Sequence, residues 1–169
     1  FKEVAAAYGV ADSQRTRNAT FLDYDKDGDL DLFLCNQPPN PGDYSKFYKT
    51  ELLLEQYSVR LYENTGDKFQ DVTEKAGLKK TGFPNSVSAT DINNDGWIDL
   101  YVANDFWAGD WLFLNKGDGS FENIIDDAVK HISFSSMGVD AADINNDGLT
   151  DIMVLDMAAE DNYRSKANM

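Results

Sequence analysis

Apolar residues in this chain come in short runs separated by polar, glycine-bearing stretches. Asp31-Leu32-Phe33-Leu34-Cys35, Asp99-Leu100-Tyr101-Val102-Ala103 and Asp151-Ile152-Met153-Val154-Leu155 each place an apolar run behind an aspartate. Runs this short predict strands buried on both faces. Segments 18–22, 86–90 and 138–142 lead into them and predict one strand each. Two more strands are expected after the first run, Arg60 to Asn64 and Lys68 to Val72. Two follow the second, Trp111 to Asn115 and Ser120 to Ile124. Thr65-Gly66-Asp67 and Lys116-Gly117-Asp118-Gly119 make the turns between them.

The pattern repeats. Phe1, Phe69 and Phe121 stand 22 residues ahead of Asp23, Asp91 and Asp143, which open three matching loops. The units are therefore 1–68, 69–120 and 121–169, the last incomplete. The first is longer because extra residues lie between Gln37 and Val59, beginning Pro38-Pro39-Asn40-Pro41-Gly42. The matching stretch of the second unit runs only from Asp105 to Asp110. An insertion confined to one connection marks a surface loop. A repeated four-stranded unit of about 50 residues is the blade of a β-propeller. The chain supplies a leading strand at Phe1 to Val4, two full blades and half of a third. Propellers have roughly four to eight blades. The expected fold is all-β: a partial β-propeller of four-stranded blades, part of a larger protein or needing partners over its open edges.

The loops carry the chemistry. They read Asp23-Tyr24-Asp25-Lys26-Asp27-Gly28-Asp29-Leu30-Asp31, Asp91-Ile92-Asn93-Asn94-Asp95-Gly96-Trp97-Ile98-Asp99 and Asp143-Ile144-Asn145-Asn146-Asp147-Gly148-Leu149-Thr150-Asp151. Positions 1, 3, 5 and 9 are Asp or Asn, and position 6 is Gly. Ca²⁺ takes six to eight oxygens at about 2.3–2.6 Å, and a curling loop with alternate oxygen-bearing residues supplies them. Glycine frees the sharp turn. Position 7 changes each time, Asp29, Trp97, Leu149, which suits a backbone carbonyl ligand. An EF-hand would need Glu at position 12 and flanking helices. Position 12 is Leu34, Val102 and Val154, and the flanks are strands, so the EF-hand is rejected. Metal-free acidic turns are common singly. Three copies, each with three or more carboxylates in nine residues, would repel strongly without a cation.

Three structural Ca²⁺ ions are therefore expected. Their side-chain ligands would be Asp23, Asp25, Asp27 and Asp31; Asp91, Asn93, Asp95 and Asp99; and Asp143, Asn145, Asp147 and Asp151. Asp29, Trp97 and Leu149 would add carbonyls. So complete a ligand set leaves little room for substrate, and no His or Cys sits among the ligands.

Composition agrees. Asp plus Glu number 30 against 15 Lys plus Arg, a net charge of -15. That charge suits divalent cations and disfavours nucleic acid and anionic membrane. No apolar run is long enough to span a bilayer. No signal-peptide pattern is found, and the chain opens on Phe1, as a processed product or an excised piece would. Cys35, the sole cysteine, aligns with Ala103 and Leu155 and reads as a small core residue. His131, the sole histidine, has no nucleophile motif around it.

Phe106, Trp107 and Trp111 flank the short turn of the second blade. Packing between blades is the favoured reading, with stacking on sugar rings or a protein interface as the ligand-facing alternative. Asn36, Asn104 and Asp156 share one position at the end of each second strand and suggest a capping hydrogen bond. The 157–169 tail fits a short helix or a truncated loop.

The loops, together with Leu61-Tyr62-Glu63-Asn64-Thr65-Gly66-Asp67-Lys68-Phe69-Gln70-Asp71-Val72-Thr73 and Leu112-Phe113-Leu114-Asn115-Lys116-Gly117-Asp118-Gly119-Ser120-Phe121, resemble FG-GAP/VCBS-type repeats. The segment Phe69 to Leu78 resembles the closing stretch of one blade. The resemblance implies a calcium-bearing propeller like that of integrin α-chains, secreted or displayed at the cell surface or outer membrane. Many bacterial members carry an ASPIC/UnbV-type domain, which nothing here matches. The third unit departs from the pattern, with Val129 where the others have Gly9 and Gly77. The expected function is calcium-stabilised binding, adhesion or scaffolding outside the cytoplasm. The expected partners are a protein or carbohydrate ligand, and the rest of the propeller or a neighbouring chain. The alternative is the scaffold of a secreted polysaccharide lyase or hydrolase completed by missing blades.

Overall fold

The computed structural model describes residues 1–38, 59–105 and 108–157. The insertion at 39–58, Phe106, Trp107 and the tail beyond Met157 lie outside the described residues. Among the described residues ten strands form three antiparallel sheets in chain order. The first contains β1 (Arg15–Leu22), β2 (Asp31–Gln37), β3 (Arg60–Asn64) and β4 (Phe69–Asp71). The second contains β5 (Pro84–Thr90), β6 (Asp99–Asn104), β7 (Trp111–Asn115) and β8 (Phe121–Asn123). The third pairs β9 (Ser136–Ala142) with β10 (Asp151–Asp156). The strands expected from the hydrophobic runs are present, with leading strands two or three residues longer than their apolar centres suggested.

Each acidic loop closes the first hairpin of its sheet at one register: Leu22 opposite Asp31, Thr90 opposite Asp99, Ala142 opposite Asp151. The far end of each hairpin also repeats. The ladder slips between Thr16 and Asn18, between Pro84 and Ser86, and between the partners of Leu155 and Asp156. The extra residues are Arg17, Asn85 and Met137, a bulge at one repeat position.

Strand alternation divides the apolar residues between two interfaces. Phe33 and Cys35 of β2 share a core with Leu100 and Val102 of β6. Tyr101, one residue out of phase, shares the next core with Ile152 and Val154 of β10. Burying one such side chain contributes about 1.5–3 kcal/mol. Successive sheets are thus cemented face to face, with β1 beside β5 and β5 beside β9.

Two expectations fail. Phe1 to Val4 is not a strand. β4 and β8 are held by pairing with β3 and β7, whereas 1–4 pairs with no strand among the described residues. A one-turn helix, α1 (Ala5–Tyr8), follows instead and ends at Gly9 with φ 81°. The third run is not buried on both faces. Met153 and Leu155 are 65% and 57% exposed, because no described element packs on the outer face of β10.

Gly9 and Gly77 occupy one repeat position, and both have positive φ. A Cβ on Gly9 would lie 2.7 Å from the Phe69 carbonyl oxygen, and one on Gly77 3.1 Å from that of Phe121. Glycine lets the segment before each sheet close on its outermost strand. In the third unit Val129 follows the short helix α2 (Ile125–Ala128) in extended conformation, φ -127°, as the missing glycine requires.

Candidate metal centre

The three loops share one backbone. Position 4 is left-handed each time, with φ 61° at Lys26 and Asn94 and 62° at Asn146. Position 6 is glycine at φ 94°, 90° and 84°. Two left-handed residues around position 5 curl the chain, so side chains of positions 1, 3 and 5 turn to one side. Asparagine tolerates this conformation through its short polar side chain.

Backbone amides then hold the carboxylates. Position 5 accepts from the position 7 amide: Asp27 from Asp29 at 3.0 Å, Asp95 from Trp97 and Asp147 from Leu149 at 2.8 Å. In the second loop Asp91 accepts from the amides of Asp95 (3.1 Å) and Gly96 (2.8 Å). Asp143 does the same in the third with Asp147 and Gly148. Asn93 and Asn145 accept from the position 5 amide through Oδ1 and donate through Nδ2 to the position 5 carboxylate.

The position 9 aspartates also anchor the loops. Asp31 accepts from the amides of Tyr24 (3.1 Å) and Asn64 (2.8 Å), and Asp99 from Ile92 and Asn115 (both 2.9 Å). Asp151 accepts from Ile144. Asp31 and Asp99 are fully buried. Each joins the start of its loop to the end of the third strand.

The first loop is electrostatically distinct. One carboxylate oxygen from each of Asp23, Asp25 and Asp27 lies within 4.8 Å of the other two. Burial, then the neighbouring acids, push the Asp25 and Asp29 carboxyls above the usual range, though an amide bond from Asp27 relieves Asp25. Burial pushes Asp31 up to about 6, against the lowering pull of the Asn64 and Tyr24 amides. In the second loop Asp95 is held below the usual range by the Trp97 amide, the Asn93 amide group and Lys26.

Asp23 Oδ1 and Asp29 Oδ1 are shielded from solvent and have no hydrogen-bond partner. A polar atom cut off from water and left without a partner is unfavourable, more so when it is charged. A hard divalent cation held by Asp23, Asp25 and Asp27 would satisfy the Asp23 oxygen. The donor set is oxygen only, which fits Ca²⁺ and not the softer metals. Position 7 reads from sequence as a carbonyl ligand, and the Asp29 carboxylate stands outside the clustered trio of Asp23, Asp25 and Asp27. Trp97 at that position lies under the Lys26 ammonium, 4.1 Å from ring centroid to Nζ. Leu149 is exposed.

The aromatic candidates fare differently. Trp111 follows the packing reading and not the ligand-facing one: it is buried, tilted on Phe113 with centroids 5.8 Å apart, so it packs between sheets and offers no face to a ligand. Phe106 and Trp107 lie outside the described residues. His131 is exposed and Cys35 buried, with burial pushing its thiol up to about 12. Of the equivalent positions Asn36, Asn104 and Asp156, the first and third cap. Asn36 accepts from Thr16 and donates to Asp12, while Asp156 accepts from the Ser133 hydroxyl and the Phe134 amide. Asn104 has Pro84 where Asn36 has Thr16, and its Oδ1 is left without a partner.

One group gave no sequence signal. Asp110 is buried at the end opposite the loops, where it accepts from Tyr101 (2.9 Å), Ser136 and the Asn104 amide (both 2.8 Å). Beside it Arg17 donates to Gln37, Gln37 to Asn85, and Asn85 to the Ser136 carbonyl, crossing all three sheets. The bulge positions Arg17 and Asn85 supply these side chains.

Sheets in series, each closing its first hairpin with an acidic nine-residue loop, define a repeat protein of all-β type. The family model described as FG-GAP-like repeat matches residues 51–102 and 91–154, more than half of the chain, and the chain belongs to that family. No curated protein matches it.

Proposed function

We propose that this chain is a calcium-stabilised binding or scaffolding module that works outside the cytoplasm, with the metal in a structural role. The observation that carries the reading is the shielded, partnerless oxygen of Asp23 within the clustered Asp23, Asp25 and Asp27 carboxylates. The second and third loops repeat the same backbone and ligand positions. Bound Ca²⁺ would supply charge neutralisation and a cross-link between the strands of each hairpin. The aspartates do the rest. Backbone amides hold the carboxylates in place, and Asp31 and Asp99 carry the constraint to the third strand.

The outer face of the third sheet supports a further sheet as partner, within a propeller larger than these residues. Tyr101 and Ala103 of the second sheet are buried under the third. Their repeat equivalents, Met153 and Leu155, are exposed, as is Ile144, the equivalent of Ile92. A protein or carbohydrate ligand at the surface of that assembly completes the reading.

Elemental analysis after dialysis against trace calcium tests it. Three ions per chain are expected. A count near zero would overturn it.

A further inference from the structure

We propose that the second and third loops bind calcium cooperatively, coupled by the side chains of Asn94 and Thr150. The inference rests on the calcium reading above and concerns residues that are not themselves ligands.

Asn94 stands at position 4 of the second loop, in the left-handed conformation that turns its side chain out of its own loop. Its Nδ2 donates to the Gly148 carbonyl of the third loop at 3.1 Å. That carbonyl shares a peptide group with the Leu149 amide, which donates to Asp147 at 2.8 Å. Thr150 of the third loop returns the contact. Its hydroxyl donates to the Asp91 carbonyl at 3.1 Å. That carbonyl shares a peptide group with the Ile92 amide, which donates to Asp99 at 2.9 Å. Each cross-loop bond therefore ends on a peptide group whose other side ties down a ligand carboxylate of the receiving loop.

The physical consequence is reciprocal. An ion fixes the peptide planes of its loop. Once those planes are fixed in one loop, the donor it presents to the neighbour is also fixed, and the neighbour has less ordering left to lose. A donor on the carbonyl polarises the peptide and strengthens the amide-to-carboxylate bond on its other side. Both effects favour the second ion, so the coupling is positive and by linkage equal in both directions. The first and second loops are joined in a similar manner. Lys26, also at position 4, lies over Trp97, and Asn115, whose amide holds Asp99, donates through Nδ2 to the Tyr24 carbonyl at 2.7 Å.

The test uses the full chain with the first site removed by Asp27→Ala. Calorimetric titration should then show two ions, the second bound at least about fivefold more tightly than the first, on a curve steeper than two independent sites allow. Asn94→Gly removes the donor while keeping the left-handed conformation, and Thr150→Val removes the other donor at constant shape. Each should keep two ions and flatten the curve. Two ions on an independent curve, or a steep curve that survives both substitutions, would overturn the coupling alone. Fewer than two ions would overturn the calcium reading itself, and the coupling with it.

Discussion

At the scale of single residues, Asp31 shows how the loops balance charge against burial. Its carboxyl is pushed up to about 6 when folded, chiefly by burial, against about 3.9 in an unfolded chain. A raised folded value means that the folded protein holds the proton more tightly. The metal-free protein should therefore gain stability as pH falls from 7 through about 6, and lose it as pH rises. On the proposed calcium reading the ion competes for the same oxygens, so its affinity should fall over that window. Thermal unfolding in EDTA at pH 7.5 and 5.5 checks the first point, with the higher melting temperature expected at 5.5. The same pair of scans in saturating calcium should show the opposite order. Gly9 gives a second residue-scale prediction. Gly9→Ala meets the Phe69 carbonyl oxygen at 2.7 Å, whereas Gly66→Ala meets nothing within 4 Å, and both have positive φ. Gly9→Ala should cost well over about 1 kcal/mol in denaturant unfolding, and more than Gly66→Ala.

At the scale of elements, the hairpins and their loops were legible in the sequence. The second strands of the first two sheets are continuous buried runs, and each loop repeats at fixed spacing from a phenylalanine. What was not legible is informative. One-turn helices such as α1 carry no periodicity to detect. The left-handed position 4 was signalled only by Asn94 and Asn146, and Lys26 concealed it in the first loop. Trp111 could not be assigned to ligand or core until β7 was seen inside the stack. Asp110 gave no signal because its partners come from two strands, β6 and β9. The loops also differ among themselves. The first holds five acids and one lysine, a charge of -4, against -3 for each of the others. Higher ligand charge tightens binding. Titration of Asp27→Ala, Asp95→Ala and Asp147→Ala should show that the first variant loses the tightest of the three sites.

At the scale of the whole molecule, the fold is a series of sheets whose cores form between neighbours. The loops lie at one end, and the polar chain from Arg17 to Ser136 runs between the sheets near the other. Each sheet is therefore fastened twice to the next. If the acidic ends are fastened by calcium, the metal is part of the folding free energy and not of any chemistry. A ligand that binds only the folded loop stabilises it by about 2.7 kcal/mol per site at a hundred times its dissociation constant. The measurement that bears most directly on this is the melting temperature at neutral pH with calcium titrated in, then removed by EDTA. The account predicts a large rise that saturates, reverses on chelation and is reduced in Asp95→Ala. A melting curve indifferent to calcium and to EDTA would contradict it.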